Sequence, residues 1–279
     1  MKIIKLSSGI GNQMFMYAFY LYIKNKYNES VYFDDKYYKN DISDRRPELS
    51  ILFPDYPVYK FHFNPAGEVG FLKKIYELKQ KFLPSFNYIN EINFDIDKDY
   101  VGNTYFNGYW QSEYYLNNLS LKHFLPKQDI PKEISSLKDM ILSSNNSVSV
   151  HFRRKDYFSP KYIDKFGVCT TDYYQRAISY LLKRVEKAKL FVFSDDLPWV
   201  RNNIFLPPNS IYVPNYEINS YWYIYLMSLC RYNIISNSTF SWWGAYLNKN
   251  EDKIVIGPSV WKYGEKKTLM CNNWIKIDI

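Results

Sequence analysis

The order of apolar and polar positions separates an irregular first half from a regular second half. Residues 2–6, Lys-Ile-Ile-Lys-Leu, are a short apolar run that predicts a buried strand. Ser-Ser-Gly-Ile-Gly at 7–11 interrupts it, and a helix is predicted over 13–26. From 27 to about 145 the pattern predicts only a helix over 67–82, an acidic loop at 95–99 and a strand over 104–109. The polar stretch at 142–147 reads as a linker, which places domains at 1–145 and 146–279. Beyond it, Val148, Val150 and Phe152 share one strand face. Thr171 and Asp172 can cap a helix in which Tyr174, Ala177, Ile178, Leu181, Leu182 and Val185 recur at helical spacing. Strands over 190–193, 211–213, 233–236 and 253–256, with a helix over 221–230, continue the series. This alternation predicts an α/β fold whose C-terminal domain is a doubly wound parallel sheet.

Size and composition narrow the class without choosing the chemistry. A chain of 279 residues holds two ordinary domains, and 47% apolar with 23% charged residues is the balance of a soluble globular protein. The apolar start is too short for a secretory signal and no run approaches the ~20 apolar residues of a membrane helix, so a cytoplasmic chain is expected. Cys169, Cys230 and Cys271 are odd in number and far apart, and read as reduced core residues. The net charge of +8 favours anionic partners: a nucleotide-sugar, the inner-membrane surface as a peripheral contact, or nucleic acid. The basic residues are scattered in pairs such as Arg45-Arg46 and Lys73-Lys74, without the dense stripe of a duplex binder, so no nucleic-acid partner is expected. Aromatic residues make up 20% of the chain, which suits either sugar stacking or core packing. Oligomeric state is not readable.

Candidate chemistry sits at predicted strand ends, where open α/β sheets bind ligands. His151-Phe-Arg-Arg-Lys-Asp-Tyr157 leaves the strand at 148–152. Arg153 and Arg154 splay to different sides, so one can grip a diphosphate while the other pairs with Asp156; a solvated charge cluster is the alternative. Gly11, Asn12 and Gln13 belong to a glycine loop that feeds the first helix, where backbone N–H groups can face an anion. Met14 stands where a dinucleotide fingerprint needs its third glycine, so an NAD site is unsupported. Asp195 and Asp196 follow the strand at 190–193, and a carboxylate can accept both N–H groups of a guanine edge. Asn237, Ser238, Thr239, Phe240 and Ser241 follow the strand at 233–236 and can cradle phosphate. Each segment alone reads equally well as a cap or turn; together they point to one anionic ligand.

GNQMF-x-YA at 11–18, HFRRKDY at 151–157, FSDDLPW at 193–199 and NSTFSWWGA at 237–245 occur in this order, with GYWQSEYY at 108–115 between the first two. In these motifs the chain resembles glycosyltransferase family 11 over residues 2–248. The resemblance implies a two-domain GT-B fold, with Rossmann-type domains facing a cleft, and an inverting α-1,2-fucosyltransferase that needs no metal or other cofactor. Its donor would be GDP-fucose and its acceptor a galactose-containing glycan. It implies that His151 and Arg153 contact the donor nucleotide and β-phosphate, that Asn12 lies beside the donor, and that Ser238 to Ser241 form the phosphate loop; Arg154, Gly11, Gln13 and Asn237 are further donor-binding candidates beside them. Asp195 or Asp196 would face the nucleoside, and Trp110, Gln111 and Glu113 the acceptor. Two departures are Lys155 where the family usually has glycine and Tyr223 where an acidic residue is usual.

Inversion needs one in-line attack on the sugar C1, and Arg153 can stabilise the charge that the leaving diphosphate gains. Asp156 and Glu113 are both candidates for the base that takes the acceptor proton. Two rivals remain: a metal-dependent transferase using Asp95, Asp97 and Asp99, and a lectin using Trp110, Trp222, Trp242 and Trp243 as sugar platforms. His62 and His123 lack partners at metal spacing and receive no role.

Overall fold

The computed structural model describes residues 1–39, 45–60, 86–158, 168–264 and 269–279, apart from the side chains of Asp156 and Phe158. The helix expected over 67–82 and His62 lie outside the described residues. The chain forms two compact units, Met1–Lys127 and Gln128–Ile279. The join therefore differs from the 145/146 boundary read from composition. A helix of the second unit, Ser135–Leu142, precedes the polar stretch, and it buries Leu137 and Ile141. Polarity at 142–147 marks a helix end and turn within one unit rather than a linker.

The first unit is built on a parallel sheet of order β2-β1-β4-β3, formed by β1 (Lys2–Lys5), β2 (Val31–Asp34), β3 (Asn87–Asn90) and β4 (Thr104–Asn107). α1 spans Ile10–Lys26. It starts three residues earlier than its periodicity predicts, on an extended Gly9 that offers no side-chain cap for sequence to signal. The core of this unit is aromatic: Phe19 of α1 stacks on Trp110 at 3.8 Å and 3°, and meets Phe94, Phe106 and Tyr115 edge-on. Stacked and edge-to-face rings fill the layer between one helix and a short-stranded sheet.

The second unit holds a parallel six-stranded sheet of order β10-β9-β8-β5-β6-β7: β5 (Ser147–Phe152), β6 (Lys189–Ser194), β7 (Ile211–Tyr212), β8 (Tyr232–Ile234), β9 (Val255–Pro258) and β10 (Ile275–Ile277). The helices are α2 (Ser135–Leu142), α3 (Thr171–Leu182), α4 (Leu197–Asn203), α5 (Tyr221–Leu229) and α6 (Thr239–Tyr246). Val148, Val150 and Phe152 pack with Tyr174, Ala177, Ile178 and Leu181 of α3 in one buried cluster. Pleat alternation sends Ser147, Ser149 and His151 to the opposite face, which is also buried. There the Asn233 amide donates to Ser149 Oγ (2.7 Å) and to the Met227 carbonyl (2.8 Å), so the buried polar atoms are paired. α5 and α6 approach so closely that a Cβ on Gly244 would lie 2.7 Å from Met227 Cβ, which explains the glycine of the Trp-Trp-Gly motif.

Both sheets are α/β in the expected sense, and the strands and helices read in the second half are present. No helix among the described residues is long and apolar enough to cross a membrane.

Candidate functional site

Strand order fixes where each unit can bind. In the second unit the chain runs from β5 outward through β6 and β7, then returns to the other side of β5 with β8. The switch point is the gap between β5 and β8, where the carboxyl ends of neighbouring strands lead to opposite sides and leave a crevice. His151, the penultimate residue of β5, lies there, its Nδ1 3.0 Å from Ser236 Oγ beyond β8. Ser236 is fully buried, and its hydroxyl is 3.4 Å from Ser241 Oγ. Burial first, then the Arg153 charge, holds the His151 pKa down at about 3, so the imidazole is neutral and acts by hydrogen bonding rather than as a cation.

The cation is Arg153. Its Nη1 lies 3.1 Å from Asp195 Oδ2, with the side chains 28% and 19% exposed, so the guanidinium is anchored yet reachable. Asp195 Oδ1 also accepts the Arg154 backbone N–H at 2.9 Å. One carboxylate at the end of β6 thus fixes the turn after β5, because register places Phe152 opposite Ser194. The Arg154 guanidinium lies over the Trp199 ring, its Cζ 3.4 Å from the centroid.

Some expected contacts are corrected by this geometry. Asp196 has a structural task of its own: it caps α4, its Oδ1 accepting from Trp199 N at 3.1 Å. Asn237 is buried, its amide donating to the Trp261 carbonyl at 3.1 Å and its Oδ1 facing Cys169 Sγ. Ser238 caps α6 by accepting from Phe240 N, and Ser241 is fully buried with its hydroxyl near the Ser236 and Ser238 carbonyls. Thr239 and Phe240, half-buried at the start of α6, are the accessible part of this loop, and Phe240 packs 5.4 Å from His151. The Asp156 side chain lies outside the described residues.

The first unit has its own switch point, between β1 and β4. Ser8, following β1, is in the left-handed region (φ 63°), and its hydroxyl donates to Tyr109 Oη at 3.3 Å. The Asn12 carbonyl oxygen accepts from Gln111 Nε2 at 2.7 Å. Two residues predicted from separate motifs are therefore in contact. Gln13 is corrected: it is fully buried, donating to the Ser8 and Arg46 carbonyls (2.9 and 3.1 Å) and accepting from Glu48 N (2.8 Å). It holds the strained loop in shape instead of touching a ligand. Gly11 is buried in the first turn of α1. Trp110 is also corrected, because its ring is fully buried against Phe19 and cannot stack on an acceptor. Glu113 is exposed at the start of a 3-10 turn capped by Ser112.

The lectin reading loses its platforms, since Trp222, Trp242 and Trp243 are buried as well. Asp95 turns its carboxylate back to accept from Asp97 N at 3.0 Å, an ordinary acidic turn. Sequence reading placed Ser236 at a strand end without giving it a role, and it missed Glu91, which accepts from Tyr109 N and Gln111 N. Ser236 immediately precedes the NSTFSWWGA motif, and its place at the end of a strand was a usable signal. Glu91 had none, because its partners are backbone N–H groups distant in sequence.

The buried imidazole has a measurable consequence. Its ordinary pKa is about 6.5, so between that and about 3 the unfolded chain binds a proton that the folded chain does not. Stability contributed by His151 is present above the unfolded pKa and lost as pH falls. From pH 7 to 5 the wild type should lose about 2 kcal/mol more than His151→Asn. Urea unfolding at the two pH values measures this; parallel losses would show that the folded imidazole takes up a proton.

The model of glycosyl transferase family 11 matches residues 3–278. An O-antigen biosynthesis glycosyltransferase of Escherichia coli, WbnK, is 33% identical over 302 residues, covering 98% of this chain and 99% of that protein. An alpha-1,2-colitosyltransferase of Escherichia coli is 32% identical, covering 99% and 98%. The crystal structure of the fucosyltransferase NodZ from Bradyrhizobium superposes with a TM-score of 0.56 at 16% identity, covering 88% of this chain and 93% of that one, which shows a shared fold.

Proposed function

Because the chain belongs to glycosyl transferase family 11, we propose that it is an inverting α-1,2-fucosyltransferase, moving L-fucose from GDP-β-L-fucose to the 2-hydroxyl of a terminal β-galactoside in a surface glycan. The observation that carries this reading is the Arg153–Asp195 pair beside a neutral His151 at the β5/β8 switch point. A fixed, partly exposed guanidinium with hydrogen-bonding groups around it suits a nucleoside diphosphate. In this reading the two units adopt the GT-B arrangement, with the donor on the second and the acceptor on the first. The enzyme works in the cytoplasm, in peripheral contact with the membrane face where glycans are assembled.

The acceptor oxygen attacks fucose C1 as the bond from C1 to the β-phosphate oxygen breaks, and GDP departs with the electron pair. Arg153 meets the charge that develops on the diphosphate, the role a metal fills elsewhere. The acceptor proton passes to a carboxylate, Glu113 or Asp156. Asn12 and Gln111 supply neutral amide contacts to sugar hydroxyls.

A second reading follows from the α-1,2-colitosyltransferase relative: the donor sugar is colitose, which is L-fucose without its 3-hydroxyl. The linkage and chemistry stay the same. A site built to hydrogen-bond a hydroxyl rejects the analogue lacking it by about 10,000-fold, so paired assays decide. GDP release and product linkage are followed with lactose, GDP-fucose or GDP-colitose, with and without EDTA. EDTA-resistant α-1,2-fucosyl product is expected. Strong preference for GDP-colitose moves the donor, and no binding of GDP overturns both readings.

A further inference from the structure

β3 and β4 are neighbours in register, Asn90 opposite Asn107, and the Asn107 amide donates to Asn90 Oδ1 at 2.7 Å. The residue after β3 is Glu91, and the turn after β4 is Gly108 to Gln111. The two strand ends therefore deliver a carboxylate and a tight turn to the same place. Glu91 Oε2 accepts from Tyr109 N at 2.7 Å, and Oε1 accepts from Gln111 N at 3.2 Å. These bonds straddle Trp110, whose backbone is left-handed (φ 56°), a conformation a bulky residue adopts only where its surroundings impose it. Glu91 lies so close that a Cβ on Gly108 would be 2.5 Å from its Cβ. The turn is thus shaped around this one side chain. From it Gln111 reaches Asn12, giving its amide N–H to the Asn12 oxygen at 2.7 Å and leaving the Asn12 nitrogen as the end that donates.

We propose that Glu91 is a positioning residue: by holding the Tyr109 and Gln111 N–H groups of the 108–111 turn, it places Gln111 and so fixes the orientation of the Asn12 amide for sugar transfer. The role rests on the functional reading above. It requires the two accepting oxygens of a carboxylate. A glutamine of the same length would present one oxygen and one NH₂ group, the latter facing a backbone N–H.

A brace that only stabilised the fold would lower the unfolding temperature and leave Gln111 independent. A positioning residue couples to Gln111 instead. Kinetics on the full chain therefore compare wild type, Glu91→Gln, Gln111→Ala and the double variant, with GDP binding by calorimetry. Displacement of a positioned group by about 1 Å costs about 100-fold, so each single variant should lose roughly 10- to 100-fold in kcat/KM. The double variant should fall no further than the worse single one, and GDP affinity should not change. Wild-type kcat/KM in Glu91→Gln, or losses that multiply, would overturn the proposal. Should wild type bind GDP and make no fucosyl product, the functional reading fails by itself. Amide hydrogen exchange then judges the brace: slow exchange at Tyr109 and Gln111 that becomes fast in Glu91→Ala supports it, and fast exchange in wild type overturns it.

Discussion

Arg153→Ala should lower kcat/KM about 100- to 1,000-fold, the range for removing one donor that meets developing charge. The argument is one of pre-placement. Asp195 holds the guanidinium at 3.1 Å before any ligand arrives, and the same carboxylate pins the next backbone N–H, so little ordering remains to be done at the moment of reaction. Loss should appear in kcat as well as in GDP affinity, because the diphosphate carries more charge when leaving than when bound as a diester. Arg153→Lys keeps the charge but loses the planar fork, and should fall between wild type and alanine. Arg154→Ala is the control: its guanidinium is stacked on Trp199, and its loss should show in unfolding free energy, by about 0.5–2 kcal/mol. Equal kinetic losses at the two arginines would mean that Arg154 also grips the donor. Full activity in Arg153→Ala would remove the central claim of the mechanism.

What sequence made legible follows from which forces leave a local trace. The second unit was readable because β5 and α3 alternate cleanly, Val148, Val150 and Phe152 against Tyr174, Ala177, Ile178 and Leu181. The positions of the motifs at strand ends were readable for the same reason, since a parallel sheet sends every carboxyl end to one edge. β3, Asn-Tyr-Ile-Asn, was not, because an edge strand with partly exposed residues has no apolar face to announce it. Roles were harder than places. Asp195 and Asp196 are adjacent and identical in type, yet one anchors Arg153 while the other caps α4. Asn237, Ser238 and Ser241 carry the right atoms for phosphate but turn them inward. Residue type tells what a side chain can do, and only the backbone around it tells where it points.

Trp110 shows that gap most sharply, and it yields the largest stability effect. Trp110→Ala should cost about 3–5 kcal/mol, the range for deleting a buried large aromatic side chain. The ring is fully buried, stacked on Phe19 at 3.8 Å and edge-on to Phe94, Phe106 and Tyr115, so no neighbour can close the space cheaply. Trp110→Phe keeps most of that contact and should cost less. The backbone adds a second, opposite term. At φ 56° a residue with a Cβ is strained by about 1–2 kcal/mol, and glycine is not. Trp110→Gly should therefore be at least as stable as Trp110→Ala, reversing the order found where φ is negative. Urea denaturation of the three variants tests both terms. An acceptor platform would behave otherwise: the variants would stay near wild-type stability while acceptor KM rose steeply, and that result would return Trp110 to the binding surface.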